Sequence, residues 1–301
     1  MTLRSVLVKI AQQEDVNFLL ANRLPRRWLT RFVGWLSRVE QPLVRETCLA
    51  LWRLFGELDL SDARTTRFNS LHECFTRELR HGARRIEPDP TVLVSPCDGI
   101  LGAMGQIDAA GSVLQAKGFP YTLRDLLYDE EFVRSYLHGS YVTLRLTSGM
   151  YHRFHAPYDC LIDQVVYVSG DTWNVNPIAL ERIEKLFCKN ERAIIRCRLH
   201  PSDFVITLVP VAAILVASIR LHFLDVRLHL KYRGPHVMQC DAFLRKGQEM
   251  GWFEHGSTII AFAPEGLSLC DTLRPGSRIR MGEPLFRLPT PRDPREPKRR
   301  E

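Results

Sequence analysis

The spacing of apolar residues changes along the chain. From Trp28, the positions Leu29, Phe32, Val33 and Leu36 recur at i, i+3, i+4 and i+7, with Trp35 beside them. That is the stripe of an amphipathic helix. Pro25 stands near its start, where a missing N–H leaves no helical hydrogen bond unmade. A second amphipathic segment carries Leu51, Trp52 and Phe55 on one side. From Ser95 onward, short β-rich runs alternate with Gly, Pro and Asp punctuation. Residues 140–146 place Val142, Leu144 and Leu146 on one face. Residues 161–168, 193–199, 204–219 and 257–263 read as further strands, the last ended by Pro264-Glu265-Gly266. Residues 180–187 predict a helix, and no internal repeat is visible. The pattern predicts an α+β protein, with N-terminal amphipathic helices followed by a mostly antiparallel β-rich core. The expected division is a helical region over 1–62, a core over 63–288 and a Pro-, Arg- and Glu-rich flexible tail over 289–301.

Composition narrows the class of partner. The 301 residues are 45% hydrophobic and 25% charged, with a formal net charge of +7. This describes a folded chain suited to an anionic partner, either nucleic acid or an acidic lipid surface. Arg23, Arg26, Arg27, Arg31 and Arg38 decorate the first helical stripe, and no acid interrupts them. Two readings of that stripe stay open. It packs on the core with solvated arginines, or it lies in a lipid head-group layer with its tryptophans as anchors. No nucleic-acid-binding motif accompanies the charge, so nucleic acid ranks below lipid. The longest apolar run, 205–219, contains Thr207, Pro210 and Ser218 and is closed by Arg220. A spanning helix needs about 20 apolar residues. The run reads as buried strand, and any membrane contact is expected to be peripheral. The eight cysteines show no C-x-x-C pair, and no secretory signal is visible, so free thiols in a reducing cytoplasm are expected.

Three clusters could carry chemistry: Ser95-Pro96-Cys97-Asp98-Gly99, Tyr151-His152-Arg153-Phe154-His155-Ala156-Pro157 and His255-Gly256-Ser257-Thr258. Together they offer a carboxylate, two imidazoles and a hydroxyl, the inventory for activating a nucleophile. Singly, each has a plainer reading. Asp98-Gly99 is a common turn, the histidines suit a loop, and a Gly-Ser pair is frequent anywhere. No G-x-S-x-G surrounds a serine, which removes the argument for an α/β-hydrolase elbow. A metal- or serine-dependent hydrolase using Asp98, His152 and His155 remains an alternative.

The clusters in combination resemble the pyruvoyl-dependent phosphatidylserine decarboxylases in their compact bacterial form. The likeness runs over residues 24–288 with its segments in the family's order. The run from Phe68-Asn69-Ser70 through Arg77-Glu78-Leu79 is similar to the phenylalanine-arginine motif. Ser95 to Gly99 resembles the aspartate motif, and Gln115-Ala116-Lys117-Gly118 the lysine-glycine segment. Tyr151 to Pro157 resembles the histidine motif. Lys246 to Phe253 leads into Gly256-Ser257-Thr258, which resembles the self-cleavage motif. Two residues depart from the family: His255 replaces the usual aliphatic residue before the cleavage glycine, and Cys97 the frequent alanine before the aspartate.

The resemblance implies a zymogen that cuts itself between Gly256 and Ser257 into a β chain, 1–256, and an α chain, 257–301. Ser257 becomes a covalent pyruvoyl group, the only cofactor, and no metal is needed. Asp98, His155 and Ser257 form the implied self-cleavage triad, and His152 is a candidate proton donor. The implied reaction converts phosphatidylserine to phosphatidylethanolamine and carbon dioxide through a Schiff base. The expected location is peripheral, on the cytoplasmic face of the cell membrane, with Arg26, Arg27, Trp28, Arg31 and Trp35 as membrane contacts. The cleaved pair is expected to form a homodimer, as is usual in that family.

Overall fold

The computed structural model describes residues 32–55, 58–116, 119–213, 218–225, 227–229, 232–234, 236–254 and 257–289. Residues 32–36 are helical. The helices that follow are α1 (Pro42–Phe55), α2 (Leu71–Phe75), α3 (Leu123–Leu127), α4 (Glu130–Tyr136), α5 (Pro177–Leu180) and α6 (Leu186–Lys189). In the first half of the chain the strands are β1 (Val92–Val94), β2 (Gly99–Gln106), β3 (Ser112–Ala116), β4 (Phe119–Thr122), β5 (Ser140–Leu146), β6 (Arg153–His155) and β7 (Cys160–Val168). They continue as β8 (Arg192–Leu199), β9 (Val205–Ala212), β10 (Ser218–Leu221), β11 (Arg227–His229) and β12 (Val237–Leu244). The last are β13 (Glu249–Phe253), β14 (Ser257–Ala263), β15 (Ser268–Leu269), β16 (Arg278–Ile279) and β17 (Pro284–Arg287).

Eight strands form the main sheet in the order β12-β7-β8-β9-β14-β5-β2-β16, with every neighbour antiparallel. Alternate residues of a strand point to opposite faces, and β14 is apolar on both. Ile259, Ala261 and Ala263 belong to one buried cluster, and Ile260 and Phe262 to another. The first cluster is closed by side chains of two smaller sheets, β11-β10-β13-β6 and β1-β17-β15, including Ile219, Phe253 and Phe286. Helices α3 to α6 and the β3–β4 hairpin close the second, through Tyr121, Leu126, Phe132 and Phe187 among others. The expected α+β class and the expected antiparallel core are both present. The strands expected at 140–146, 161–168, 193–199 and 257–263 correspond to β5, β7, β8 and β14.

Two elements differ from the sequence expectation. The apolar run 204–219 is not one strand. Its first part is β9 of the main sheet, and its end is β10 of the four-stranded sheet. Both parts are buried, so hydrophobicity alone does not register the change of sheet. The helix expected over 180–187 is two short helices. Lys185 adopts a left-handed conformation (φ 51°) between them. The buried Gln115 side chain serves the interrupted backbone. Its Nε2 donates to the carbonyls of Leu180 (2.9 Å) and Ile183 (2.7 Å), and its Oε1 accepts from the Leu186 N–H (2.5 Å). These three bonds stand in for helical ones at the break.

The N-terminal helices pack on the rest through one side only. Leu49 is buried and Trp52 half-buried, and Trp52 stacks on Phe75 of α2 at 5.8 Å between ring centroids. Leu51, expected on the same side as Trp52, is exposed. Leu43, Phe32 and Trp35 are exposed as well, Trp35 at 64%. No described helix is long and apolar enough to cross a membrane.

Candidate active site

The three clusters meet where the main sheet adjoins the four-stranded one. Strand β13 lies in the smaller sheet and β14 at the centre of the larger, so residues 254–256 carry the chain between the two. Ser257 is the first residue of β14, with Leu146 of β5 on one side and Ala212 of β9 on the other. The expected site residues His255 and Gly256 lie outside the described residues, as do Lys117 and Gly118, and Ser257 is described by its backbone alone.

The histidine motif is bonded to the strand that leads into this crossing. The Phe253 N–H donates to the His152 carbonyl (3.0 Å), and β6 pairs with β13 so that His155 faces Glu249. On its other edge β13 pairs with β10, and there a glycine is required, because a Cβ at Gly251 would overlap the Arg220 carbonyl oxygen. The aspartate motif is bonded from the other side, through the His155 N–H to the Pro96 carbonyl (2.7 Å). The phenylalanine-arginine motif braces all of this from below. Buried Arg77 donates to the Gly149 carbonyl (2.8 Å), and Arg153 Nε to the Thr76 carbonyl (2.9 Å).

His155 is 7% exposed. Its Nδ1 lies 2.9 Å from the Gly247 carbonyl and its Nε2 3.0 Å from the Tyr151 hydroxyl. A carbonyl only accepts, so Nδ1 carries the hydrogen, and the neutral ring keeps its lone pair on Nε2. Burial lowers the His155 pKa below its ordinary value; the Gly247 bond and the negative charges of Glu249 and Asp98 oppose that shift without reversing it. The ring is a neutral base with one defined basic atom. His152 is fully buried. Its Nδ1–H donates to the Met150 carbonyl (2.9 Å), and its ring packs on Phe75 at 3.9 Å. The Trp52–Phe75–His152 series therefore joins helix α1 to the site.

Asp98 immediately precedes β2. Both of its oxygens are engaged: Arg84 grips it with Nε on Oδ1 (2.9 Å) and Nη2 on Oδ2 (2.6 Å), and the Met281 N–H donates to Oδ1 (2.9 Å). Arg84 Nη1 also bonds Asp62 (2.8 Å), and its side chain is 8% exposed. Forked arginine–carboxylate bonding of this kind fixes both position and charge. Asp98 and His155 thus lie in one site, yet neither imidazole nitrogen is hydrogen-bonded to the carboxylate. A cavity of about 440 Å³ opens behind the pair, between residues 82–85 and 280–284. Among the described residues no three His, Cys, Asp or Glu side chains converge as a metal-ligand set. The hydrolase alternative built on Asp98, His152 and His155 finds no support in this geometry, because the carboxylate is turned to Arg84.

Sequence reasoning misses three contributors. Arg84 stands 14 residues before Asp98, at no spacing that signals contact. Tyr151 lies inside the histidine motif, where nothing in the sequence gives it a role. Arg38, grouped by sequence with the membrane-facing arginines, instead donates to Glu254 (2.7 Å), three residues before Ser257. Of the expected membrane contacts, Trp35 is exposed, and Arg26, Arg27, Trp28 and Arg31 lie outside the described residues.

Comparison with known proteins agrees with this arrangement. The sequence profile of the phosphatidylserine decarboxylase family matches residues 71–287. The chain is 34% identical over 275 residues to a phosphatidylserine decarboxylase proenzyme of Haemophilus influenzae, covering 87% of this chain and 92% of that one. It is 32% identical to the proenzyme of Escherichia coli over 274 residues, covering 87% and 84%. With that of Klebsiella pneumoniae it shares 31% over 283 residues, covering 90% and 88%.

Proposed function

The chain belongs to the phosphatidylserine decarboxylase family, and from that premise we propose that it cuts its own backbone between Gly256 and Ser257 and then decarboxylates phosphatidylserine at a membrane surface. The observation that carries this is where the cut falls. The junction joins two sheets, with the histidine motif bonded to the strand before it and β14 held on both edges after it. A new chain end at position 257 therefore stays anchored in the main sheet. The surroundings suit a small keto group there, because the base that the histidine motif brings is a buried neutral imidazole rather than a competing amine. A pyruvoyl group made from Ser257 supplies the electron sink that loss of a carboxylate from an amino acid requires.

The chain's own residues have these roles. His155 takes the Ser257 hydroxyl proton on Nε2 as the serine oxygen attacks the Gly256 carbonyl. Gly247 holds the ring in the required tautomer. Asp98, fixed by Arg84, supplies negative charge that favours the imidazolium as it forms. His152 returns a proton to the product's α-carbon.

Attachment to lipid is peripheral. Leu43 and Leu51 present apolar side chains to solvent on α1, whose Trp52 reaches Phe75 and His152, and Phe32 and Trp35 do so on the helical stretch before it. An interfacial helix buries such residues among lipid head groups and acyl chains. That arrangement brings the head group of a docked lipid to the side of the molecule that holds the histidines.

Mass spectrometry of the purified protein tests the central step. We expect two chains, with the smaller beginning at position 257 and blocked to Edman sequencing. Ser257→Ala and His155→Ala should each remain a single 34.7 kDa species without decarboxylase activity. An intact wild-type chain that is fully active would overturn the proposal.

A further inference from the structure

Thr258, the second residue of β14, pairs directly with Arg145 of β5. Directly paired residues point to the same face of a sheet. On this face Arg145, Thr143 and Tyr141 stand opposite Thr258, Ile260 and Phe262 in turn. Tyr141, Ile260 and Phe262 belong to the second apolar cluster. Arg145 and the two threonines therefore lie at the end of that cluster nearest the proposed cut.

These polar groups lack partners. Among the described residues the half-buried Arg145 guanidinium has neither a hydrogen bond nor an ion pair. Burial lowers its pKa, and no carboxylate opposes the shift. The buried Thr143 and Thr258 hydroxyls also have no hydrogen-bond partner. By contrast, Arg77, Arg84 and Arg192 bond to carbonyls or carboxylates. Buried polar groups are almost always hydrogen-bonded, so a cation beside unpaired hydroxyls marks a place for an anion. The face is not sealed, because Ile100, paired with Arg145, and Gly102, beside Thr143, are partly exposed.

We propose that Arg145, aided by the Thr258 hydroxyl, binds the phosphodiester of phosphatidylserine and so brings the head-group amine to position 257. This rests on the reading of position 257 as the ketone. The head group carries two anions, and their fates differ. The carboxylate loses its charge as carbon dioxide departs, so a cation on it would hold the ground state better than the transition state. The phosphodiester keeps its charge throughout, and a forked guanidinium matches its oxygens. Only two carbons and an oxygen separate the amine from phosphorus. Thr258 is one residue from position 257, about 3.4 Å along the strand, so the spacing suits a head group bound at both ends.

The test traps the Schiff base of mature protein with borohydride. Glycerophosphoserine, the head group without acyl chains, is compared with free serine by the concentration that half-saturates trapping. Wild-type protein should favour glycerophosphoserine, and Arg145→Gln should reduce that preference by about 10- to 100-fold, the range for a hydrogen bond to a charged group. Arg145→Lys, which keeps the charge and loses the fork, should retain part of it. If Arg145→Gln fails to mature, calorimetric titration of glycerophosphoserine into uncut Ser257→Ala chains, with and without Arg145→Gln, makes the same comparison. A wild type without preference, or a preference that survives Arg145→Gln, overturns the subsite. Tighter binding of inorganic phosphate than of glycerophosphoserine overturns it too, since the site would then serve a free anion. If wild-type protein traps neither amine, the ketone at position 257 falls instead, and the calorimetric comparison still decides the subsite.

Discussion

Burial decides charge at several single residues, and Glu191 shows the effect away from the site. The side chain is fully buried just before the main-sheet strand β8, and among the described residues neither carboxylate oxygen has a donor in good hydrogen-bond geometry, the nearby Tyr167 hydroxyl only partly opposing the desolvation. The neighbouring Tyr167 hydroxyl donates to the His229 carbonyl instead (2.9 Å). Desolvation pushes the Glu191 pKa up to about 8 from an ordinary 4.5. Between those values the unfolded chain releases a proton that the folded chain keeps, so folding stability falls as pH rises. The contribution is complete below about pH 4.5 and is lost by about pH 8. Each pH step of one between those limits removes roughly 1.4 kcal/mol, so the whole loss is on the order of a few kcal/mol. Glu191→Gln should remove this slope. Denaturant unfolding of both proteins at pH 5 and pH 8 checks it, and equal pH dependence of the two would show that Glu191 is ionised in the fold. At the site, the Arg84–Asp98 pair obeys the converse rule: removing one partner strands a buried charge at a cost of about 3–5 kcal/mol.

At the scale of elements, the N-terminal helices combine two tasks. One side of α1 packs through Leu49 and Trp52, so this segment is built into the molecule rather than loosely appended to it. The opposite side offers Leu43 and Leu51, and the preceding turn offers Phe32 and Trp35 with their rings 6.0 Å apart. α1 thus packs on the core with one side and leaves apolar side chains exposed on another. Trp35→Ala combined with Phe32→Ala removes exposed apolar surface without touching the core. Binding to vesicles containing anionic phospholipid should weaken by about tenfold or more, given roughly 1.5–3 kcal/mol for each large side chain fully buried. Unaltered co-sedimentation with such vesicles would remove these residues from the docking surface. Arg38, in the turn before α1, ties this N-terminal region to Glu254, beside the proposed cut.

For the whole molecule, the proposed cut at Gly256–Ser257 would separate chains that remain interwoven. The strands after Ser257 are β14, β15, β16 and β17. They pair with β5 and β9, with β17, with β2, and with β1 and β15. The smaller chain thus supplies a central strand of the main sheet and side chains to both clusters of its core. The two cleaved chains should co-elute in native chromatography and separate only in denaturant. Their unfolding should be a single transition, because neither chain keeps a complete core alone. Separation of folded fragments without denaturant would contradict this arrangement.

Much of this is legible without coordinates because it depends on local pattern. Alternation in 140–146 and 257–263 specifies strands whatever they pair with, and the order of the five motifs specifies the family. The site is legible only as a set of residues. Nothing near Asp98 in the chain points to Arg84, 14 positions away, and nothing near His155 points to the Gly247 carbonyl, which fixes its tautomer from 92 positions away. Break points are hidden for the same reason. The helix at 180–187 divides because Gln115 satisfies its backbone from another element, and the run 204–219 divides because its ends join different sheets. Which residues can be buried is a property of composition and period, carried by the chain itself. Which donor meets which acceptor, and so which atom holds a proton, depends on partners distant in sequence, and only the folded structure brings them together.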